Sequence, residues 1–521
     1  MPTSSSNISS NIDRNKRIAS NTIVLFVRMF VLMIINLYTV RIVLNRLGDI
    51  DYGIYNAVAG VVTATAFISG VLALSIQRFY SIALGKGDYI TLHKIFSASI
   101  NIVIGVTIVL LIIFETVGIW FIKSHMTIPI DRLEPAIVLF QFALFTFFLS
   151  IIQIPYTAAV FTHEDMGIYA LISTIECLGR LLVALLIGIC FIDNLIFYGL
   201  GLFFVSIIIS GIYIYIARRR YDECHYHVVN DFKLHKQILT FSGWTTFGSV
   251  SNTLMIQGST ILINIYFGPL INVAFGIALN INNAFMTLTN SMVLPFRPQM
   301  IKAYAQKNYG YINSLFSISN KFIFYILIAV AAPIISEMNL ILKLWLGNVS
   351  HDTLIFSQFI IIYIICISIH NPITTIIHAS GHIKEYHLPV ESITLLCLPI
   401  TLLLFHWKCP AYYIFFSMIG VVILAHIVRL ICLRIYYKPF SIVNYFKLFI
   451  VRAIIISIIG GIITYLLHSQ IVNTGLRTIS VATISPISIL TLTYCFGIDH
   501  NERLTINKYT NTFIKKIICH K

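Results

Sequence analysis

Residues 195–217, LIFYGLGLFFVSIIISGIYIYIA, contain no acid and no basic side chain, and they run straight into Arg218-Arg219-Arg220. The hydrocarbon core of a bilayer is about 30 Å thick, and a helix crosses it with about 20 apolar residues. The stretch has that length. It ends at three cations that hydrocarbon does not solvate cheaply. Within lipid a single segment satisfies its own N–H and C=O groups only as a helix. This reading predicts a membrane-spanning helix closed by a basic end.

Working outward, thirteen further stretches have comparable length and hydropathy. The fourteen expected spans lie near 20–45, 53–77, 95–121, 135–161, 168–191, 195–217, 240–267, 271–296, 314–336, 353–379, 388–406, 411–434, 447–468 and 476–497. Hydrophobic residues make up 58% of the chain and charged residues 11%, and mean hydropathy is +0.88. Soluble chains average about 25% charged residues, so the fold class expected is an all-α integral membrane protein of about fourteen helices. The net charge of +15 is read as the basic bias of loops on one membrane side, and nucleic acid is excluded as a partner. The N-terminal apolar run follows Arg14, Lys16 and Arg17 and lacks a small-residue cleavage site, so it reads as a first span. Nine scattered cysteines with no CxxC pair argue against a disulfide framework or a zinc module.

Lysine and arginine collect in the N-terminal tail, in alternate connections and in the C-terminal tail, which predicts both termini on the cytoplasmic side. A shift of 220 residues aligns Gly48 with Gly268, Ala83 with Ala303, Tyr89 with Tyr309 and Phe96-Ser97-x-Ser99 with Phe316-Ser317-x-Ser319. A shift of 217 aligns Pro155 with Pro372, Thr157 with Thr374 and Tyr169 with Tyr386. The expected organisation is a tail 1–18, a six-helix bundle 19–217, a linker 218–238, a second six-helix bundle 239–436, two extra helices 437–498 and a tail 499–521. Two even-numbered repeats enter the membrane from the same side, giving a pseudo-two-fold along its normal and two halves suited to rocking.

Connections are short, so chemistry falls to the spans. Arg28 lies about ten residues into the first span, roughly 15 Å at helical rise. It reads either as a cation lining a cavity for an anionic substrate or as the partner of an acid such as Glu176. Arg41 lies 13 residues further on, and could equally snorkel to an interface. Glu176 and Arg180 are spaced for an ion pair on one helix face. Lys321 could line the second half's cavity or pair structurally. Arg429 and Arg452 read as interfacial, and Glu391 is a further intramembrane acid. The candidate cavity cations are Arg28, Arg41, Arg78, Arg180, Arg297 and Lys321. Cations outnumber acids in these segments, which disfavours a pore for metal cations. A planar guanidinium suits phosphate. His370-Asn371 is the only hint of a membrane enzyme and reads as helix packing beside Pro372. Cys224, His225 and His227 fit no ligand framework. No cofactor or metal is expected.

The chain resembles the bacterial polysaccharide flippases of the multidrug/oligosaccharidyl-lipid/polysaccharide exporter superfamily. The likeness rests on Arg28-Met-Phe, Tyr38-Thr-Val-Arg41-Ile-Val-Leu, Leu47-Gly48, Tyr52-Gly53-Ile54-Tyr55 and His163-Glu164-Asp165-Met166-Gly167-Ile168-Tyr169. It continues through Phe241-Ser242-Gly243-Trp244, Pro298-Gln299-Met300-Ile301-Lys302-Ala303-Tyr304-Ala305, Leu344-Trp345-Leu346-Gly347 and Ala379-Ser380-Gly381-His382-Ile383-Lys384. The resemblance implies two six-helix bundles around a cavity and two added helices. It also implies translocation of an undecaprenyl-pyrophosphate-linked oligosaccharide across the bacterial inner membrane for O-antigen-type polysaccharide synthesis. Implied partners are that lipid-linked oligosaccharide, membrane lipids, a polysaccharide polymerase and glycosyltransferases. Family cavity arginines map onto Arg28 and Arg41. A cation-coupled drug exporter of the same superfamily shares the fold, and the basic interior speaks against it. A polymerase or ligase is the more distant rival.

Overall fold

The computed structural model describes residues 28–55 except 30, 33, 37 and 49, then 58, 59 and 62, then 65–499 except 127, 190–192, 230 and 348, and finally 502 and 503. The expected tail 1–18, the start of the first expected span and most of the tail 499–521 lie outside the described residues. Among the described residues the chain is helical throughout, with no strand. Twelve helices are long and apolar enough to cross a membrane. The chain is thus a multi-pass, all-α membrane protein.

The difference from fourteen falls on two stretches. Residues 20–45 are described only from 28 onward. Residues 232–267 are helical and are parted from the next span by a kink at Gly268. They carry Ser, Thr, Asn, Gln and Gly among the apolar positions and do not reach a span's hydropathy.

The chain divides into two compact units, residues 1–249 with 301–307, and residues 250–300 with 308–521. The first contains α1 (Phe67–Lys86), α2 (Tyr89–Ser124), α3 (Ile130–Thr162), α4 (Met166–Leu186) and α5 (Asn194–Arg220). α3 packs on α5, and the last turns of α3, Ile154–Thr162, pack on α1. Gly199 of α5 permits the first contact, because a Cβ there would meet a Leu139 side-chain carbon at 2.7 Å. Tyr80, Phe96, Phe140, Ile76 and Leu92 are fully buried between these helices.

The expected linker 218–238 is not a free join. Tyr221, Cys224, Leu234 and Ile238 are buried in the first unit's core. Tyr226 Oη donates to Asn101 Oδ1 at 3.0 Å, and His227 N donates to Ser97 Oγ at 3.1 Å. Aromatic and aliphatic side chains interleaved with the charges pull this segment onto α2. The units part instead between Ser249 and Val250, inside the helical stretch 232–267.

The second unit contains α6 (Ile271–Val293), α7 (Tyr309–Ser336), α8 (His351–Ser380), α9 (Ile383–His406), α10 (Tyr413–Tyr436), α11 (Ile442–Gln470) and α12 (Thr474–Gly497). α11 and α12 pack on α7 and on each other. Ion clusters fasten them near the middle and at the C-terminal end of α7. Near the middle Lys321 Nζ meets Asp499 Oδ2 at 2.7 Å and Glu502 Oε2 at 2.8 Å, while Arg452 Nη1 meets Asp499 Oδ1 at 2.7 Å. At the C-terminal end Glu337 accepts from Arg477 Nε at 3.0 Å and lies 2.8 Å from His468 Nδ1.

Burial pushes the Glu337 carboxyl up, but the hydrogen bonds from His468 and Arg477 outweigh it and hold the group below the usual carboxylate range. A carboxylate with a depressed folded pKa stabilises the fold above its unfolded pKa of about 4.3, and that contribution is lost as pH falls through the folded value. Glu337→Gln should therefore lower the thermal midpoint at neutral pH, and the gap to wild type should close below about pH 4. A gap that is constant with pH would show that the glutamate's charge is not what holds α11 and α12 there.

The internal repeat is written in the backbone. Eight of the nine described residues with positive φ fall into pairs, Gly347 (77°) standing outside them: Gly48 (78°) with Gly268 (80°), Gly87 (71°) with Lys307 (56°), Glu164 (63°) with Gly381 (88°), and Gly188 (85°) with Lys408 (61°). Their separations are 220, 220, 217 and 220 residues. A left-handed residue marks where a helix ends sharply, so the same turns recur at the same places in both halves. Helix starts recur as well. Asp88 accepts from Thr91 N at 3.0 Å, and Asn308, 220 residues later, accepts from Tyr311 N at 3.2 Å. The FSxS pair has one further use. Ser97 accepts from His227, which follows the first unit's last span, and Ser317 donates to Glu502, which follows the second unit's last span.

Candidate functional site: an arginine held by neutral partners

The site is built on α4. Tyr169, Ser173, Glu176 and Arg180 recur at intervals of four, three and four residues, so they share one helix face. Arg28 lies against the first two. Its Nε donates to Ser173 Oγ at 2.5 Å and its Nη2 donates to Tyr169 Oη at 3.1 Å. Its Cζ is 4.4 Å from the centroid of the Tyr169 ring. Phe161 braces that ring from 4.7 Å. One turn on, Cys177 Sγ donates to Asn36 Oδ1 at 3.5 Å. Residues 28 and 36 thus meet α4 in the same order as 169–173 and 177, so the two segments run parallel, as the first and fifth of six alternating spans must.

Every partner of Arg28 among the described residues is neutral. Several acids of the first unit are engaged with other cations. Glu176 takes Arg180 at 2.6 Å. Arg132 binds Asp51 at 2.6 Å and also Asp193, whose side chain caps the start of α5 by accepting from Leu195 N at 3.0 Å. Glu164 takes Lys302 at 2.7 Å, Asp165 lies 3.3 Å from Arg220, and Glu223 lies 2.6 Å from His163. A guanidinium has five N–H donors, and two are accounted for here. Half-buried, Arg28 presents an uncompensated positive charge and unspent donors to whatever enters beside α4.

The six sequence candidates have different surroundings within their own units. Arg28 is not the partner of Glu176. Arg180 is, so its charge is neutralised locally at i, i+4 spacing, and it is half-exposed. Lys321 is the clearest correction. It is fully buried and held by two carboxylates, so the structure gives it the pairing role. Hydropathy places it inside a span, and it is near the middle of the 28 residues of α7. The chain after α12 folds back to it and supplies both carboxylates. Arg41 is exposed on the described part of the first helical stretch. Arg78 is buried with its Cζ 5.0 and 4.8 Å from the rings of Phe79 and Phe241. Arg297, in the second unit, is half-buried and makes no hydrogen bond or ion pair among the described residues.

Two alternatives also resolve. Asn371 Nδ2 donates to Ser368 O at 3.3 Å across a break in α8, next to Pro372, and His370 precedes the helical turn that follows without capping it through its side chain. This is packing of a broken helix. Cys224, His225 and His227 form no metal-holding group among the described residues. Sequence reading passed over Tyr169 and Ser173 as partners, although their spacing with Glu176 and Arg180 was legible. It also passed over Glu115, an acid inside an apolar run. Glu115 sits in the π-helical turn Phe114–Gly118 and accepts from Gln141 Nε2 at 3.1 Å.

No protein-family model and no curated protein sequence matches the chain. Solved structures do. A MATE transporter in complex with MaL6 superposes with a TM-score of 0.72 at 14% identity, over 82% of this chain and 97% of its own. An outward-facing multidrug resistance MATE family transporter of the MOP superfamily gives 0.69 at 14% identity, over 80% and 94%. A MOP superfamily transporter from Pyrococcus furiosus, described as having a binding pocket of reverse polarity that suggests a different function, gives 0.70 at 13% identity, over 80% and 94%. The chain has the fold that these MATE and MOP superfamily transporters share.

Proposed function

We propose that the protein is a transporter that moves an undecaprenyl-pyrophosphate-linked oligosaccharide across the bacterial cytoplasmic membrane by alternating access. The observation that carries this reading is Arg28, a half-buried guanidinium held, among the described residues, by a hydroxyl, a phenol and an aromatic face. Such a group recognises a pyrophosphate, because its planar fork pairs bidentately with phosphate oxygens. It repels the cationic compounds that a drug exporter of similar fold would carry. The pocket described for the Pyrococcus furiosus relative is a precedent for this fold holding a site of altered polarity.

In this reading both termini are cytoplasmic, and the anionic headgroup moves outward down an inside-negative potential, gaining about 2.3 kcal/mol per charge per 100 mV. The prenyl tail stays in lipid. A polysaccharide polymerase would consume the product, and glycosyltransferases would supply the substrate. The test is reconstitution of the full chain in liposomes loaded with a fluorescent lipid-linked oligosaccharide. Inside-to-outside movement of that lipid, with no effect of the protein on accumulation of cationic dyes, is the expected result. Dye movement without lipid movement would replace this reading by the multidrug one.

A further inference from the structure

The second unit contains a buried chain of titratable groups that the proposed transport reading does not use. His378 on α8 and His387 and Glu391 on α9 are 5%, 6% and 9% exposed. His378 Nε2 lies 3.2 Å from His387 Nε2, and His387 Nδ1 lies 3.1 Å from Glu391 Oε1. The turn between the two spans carries Gly381 at φ 88°. His378 lies just before that turn, and Glu391 lies eight residues into α9, roughly 12 Å along it. The three side chains therefore step from a membrane end toward the interior.

We infer that His378, His387 and Glu391 form a proton-binding chain that takes up one proton and stores it on a carboxyl group inside the membrane-spanning segment. The argument is a count of hydrogens. A neutral imidazole has one N–H and one bare nitrogen. With Glu391 ionised, His387 Nδ1–H donates to it, so His387 Nε2 is bare and accepts from His378 Nε2–H. The trio then carries one negative charge. With one more proton, the Glu391 carboxyl O–H donates to His387 Nδ1, and His387 Nε2–H donates to a bare His378 Nε2. The trio is then neutral. Both hydrogen bonds reverse and no heavy atom needs to move. The same geometry serves both states, which a merely structural ion pair does not require.

Arg429 on α10 supplies a fixed cation through Tyr386, its Nε donating to Tyr386 Oη at 3.2 Å. The Tyr386 ring stands edge-on to both histidines, 5.0 Å from His387 and 6.2 Å from His378. Thr374 Oγ1 lies 2.7 Å from Tyr386 Oη. Other titratable groups around the cluster and Arg429 include His370 at the break in α8, the buried Tyr363 of α8, His426 on α10, whose Nε2 lies 3.4 Å from Tyr445 Oη, and Cys397 on α9, whose Sγ lies 4.0 Å from Thr401 Oγ1. Lys321 of α7, which also packs on α8, is held by Asp499 and Glu502. Arg429 thus balances an ionised Glu391, and loading the proton leaves one net positive charge in a low-dielectric interior. That change is large enough to bias a conformational equilibrium.

The test is infrared difference spectroscopy of the full chain in nanodiscs during pH steps. A carboxylic-acid C=O band should appear as pH falls and be missing in Glu391→Gln. In His387→Asn the band should remain with its midpoint moved by about one pH unit or more, as expected for coupled sites. Identical spectra for wild type and Glu391→Gln would overturn the proposal. If Glu391→Gln does not fold, His387→Asn decides, and an unmoved midpoint overturns it. The measurement uses no transported substrate, so its failure is distinct from failure of the flippase reading.

Discussion

Arg28→Ala should reduce lipid-linked oligosaccharide flipping roughly ten- to a hundredfold while leaving the amount and melting of the protein unchanged. The size follows from losing a charge-assisted hydrogen bond, about 1.5–3 kcal/mol, at about 1.4 kcal/mol per decade of rate. The stability expectation follows from its partners. Ser173 Oγ keeps its own hydrogen bond to Ala170 O at 3.0 Å, and Tyr169 keeps its contact with Phe161. Removing the arginine strands no buried charge. Arg28→Lys separates charge from shape. Lysine restores a cation but not the fork or the planar stacking on Tyr169, so it should recover part of the rate. Flipping at the wild-type rate in Arg28→Ala, measured in the same liposomes, would remove Arg28 from the site and leave the pyrophosphate reading without its main support.

The second large effect concerns stability. The double change Asp499→Asn with Glu502→Gln strips both carboxylates from Lys321, whose side chain is 3% exposed. An uncompensated buried charge costs about 3–5 kcal/mol, so the thermal midpoint in detergent should fall steeply. Adding Lys321→Met to that double variant should recover most of the loss, because a buried ion triad exchanged whole for neutral groups is often close to neutral in stability. If the triple variant melts as low as the double, the loss comes from the other contacts of this corner, Arg452 Nη1 to Asp499 Oδ1 and Ser317 Oγ to Glu502 Oε1. The same cluster explains how two helices outside the internal repeat are attached. α11 and α12 have exposed apolar faces, but near the middle and at the C-terminal end of α7 they are tied by charge.

Much of the fold was legible in the chain itself. Long apolar stretches ending at basic residues dictate spans, because hydrocarbon tolerates neither unpaired backbone nor unshielded charge. The repeat was legible in a few identities, and it reappears as paired left-handed turns because a glycine or a tolerant residue is needed wherever a helix stops sharply. Residues 232–267 show the limit. They form a helix too polar for a hydropathy window to recognise as a span. The linker 218–238 shows another, since its arginines suggest solvent while Tyr221 and Cys224 bury it.

The site was only half legible. Sequence alone determined that this is an all-helical membrane protein with two related halves and an excess of intramembrane cations. Charge along one chain cannot say which cations are already spent. Pairing depends on residues far apart in sequence: Lys321 with Asp499, Arg132 with Asp51 and Asp193, Lys302 with Glu164. Tertiary structure decided that Arg180 and Lys321 are neutralised and that Arg28 rests on Tyr169 and Ser173. It also decided that His378, His387 and Glu391, separated by one turn between spans, close into a single chain. The physical reason is that Coulomb energy in a low-dielectric interior depends on distances of a few ångströms, and only the packed helices set those distances.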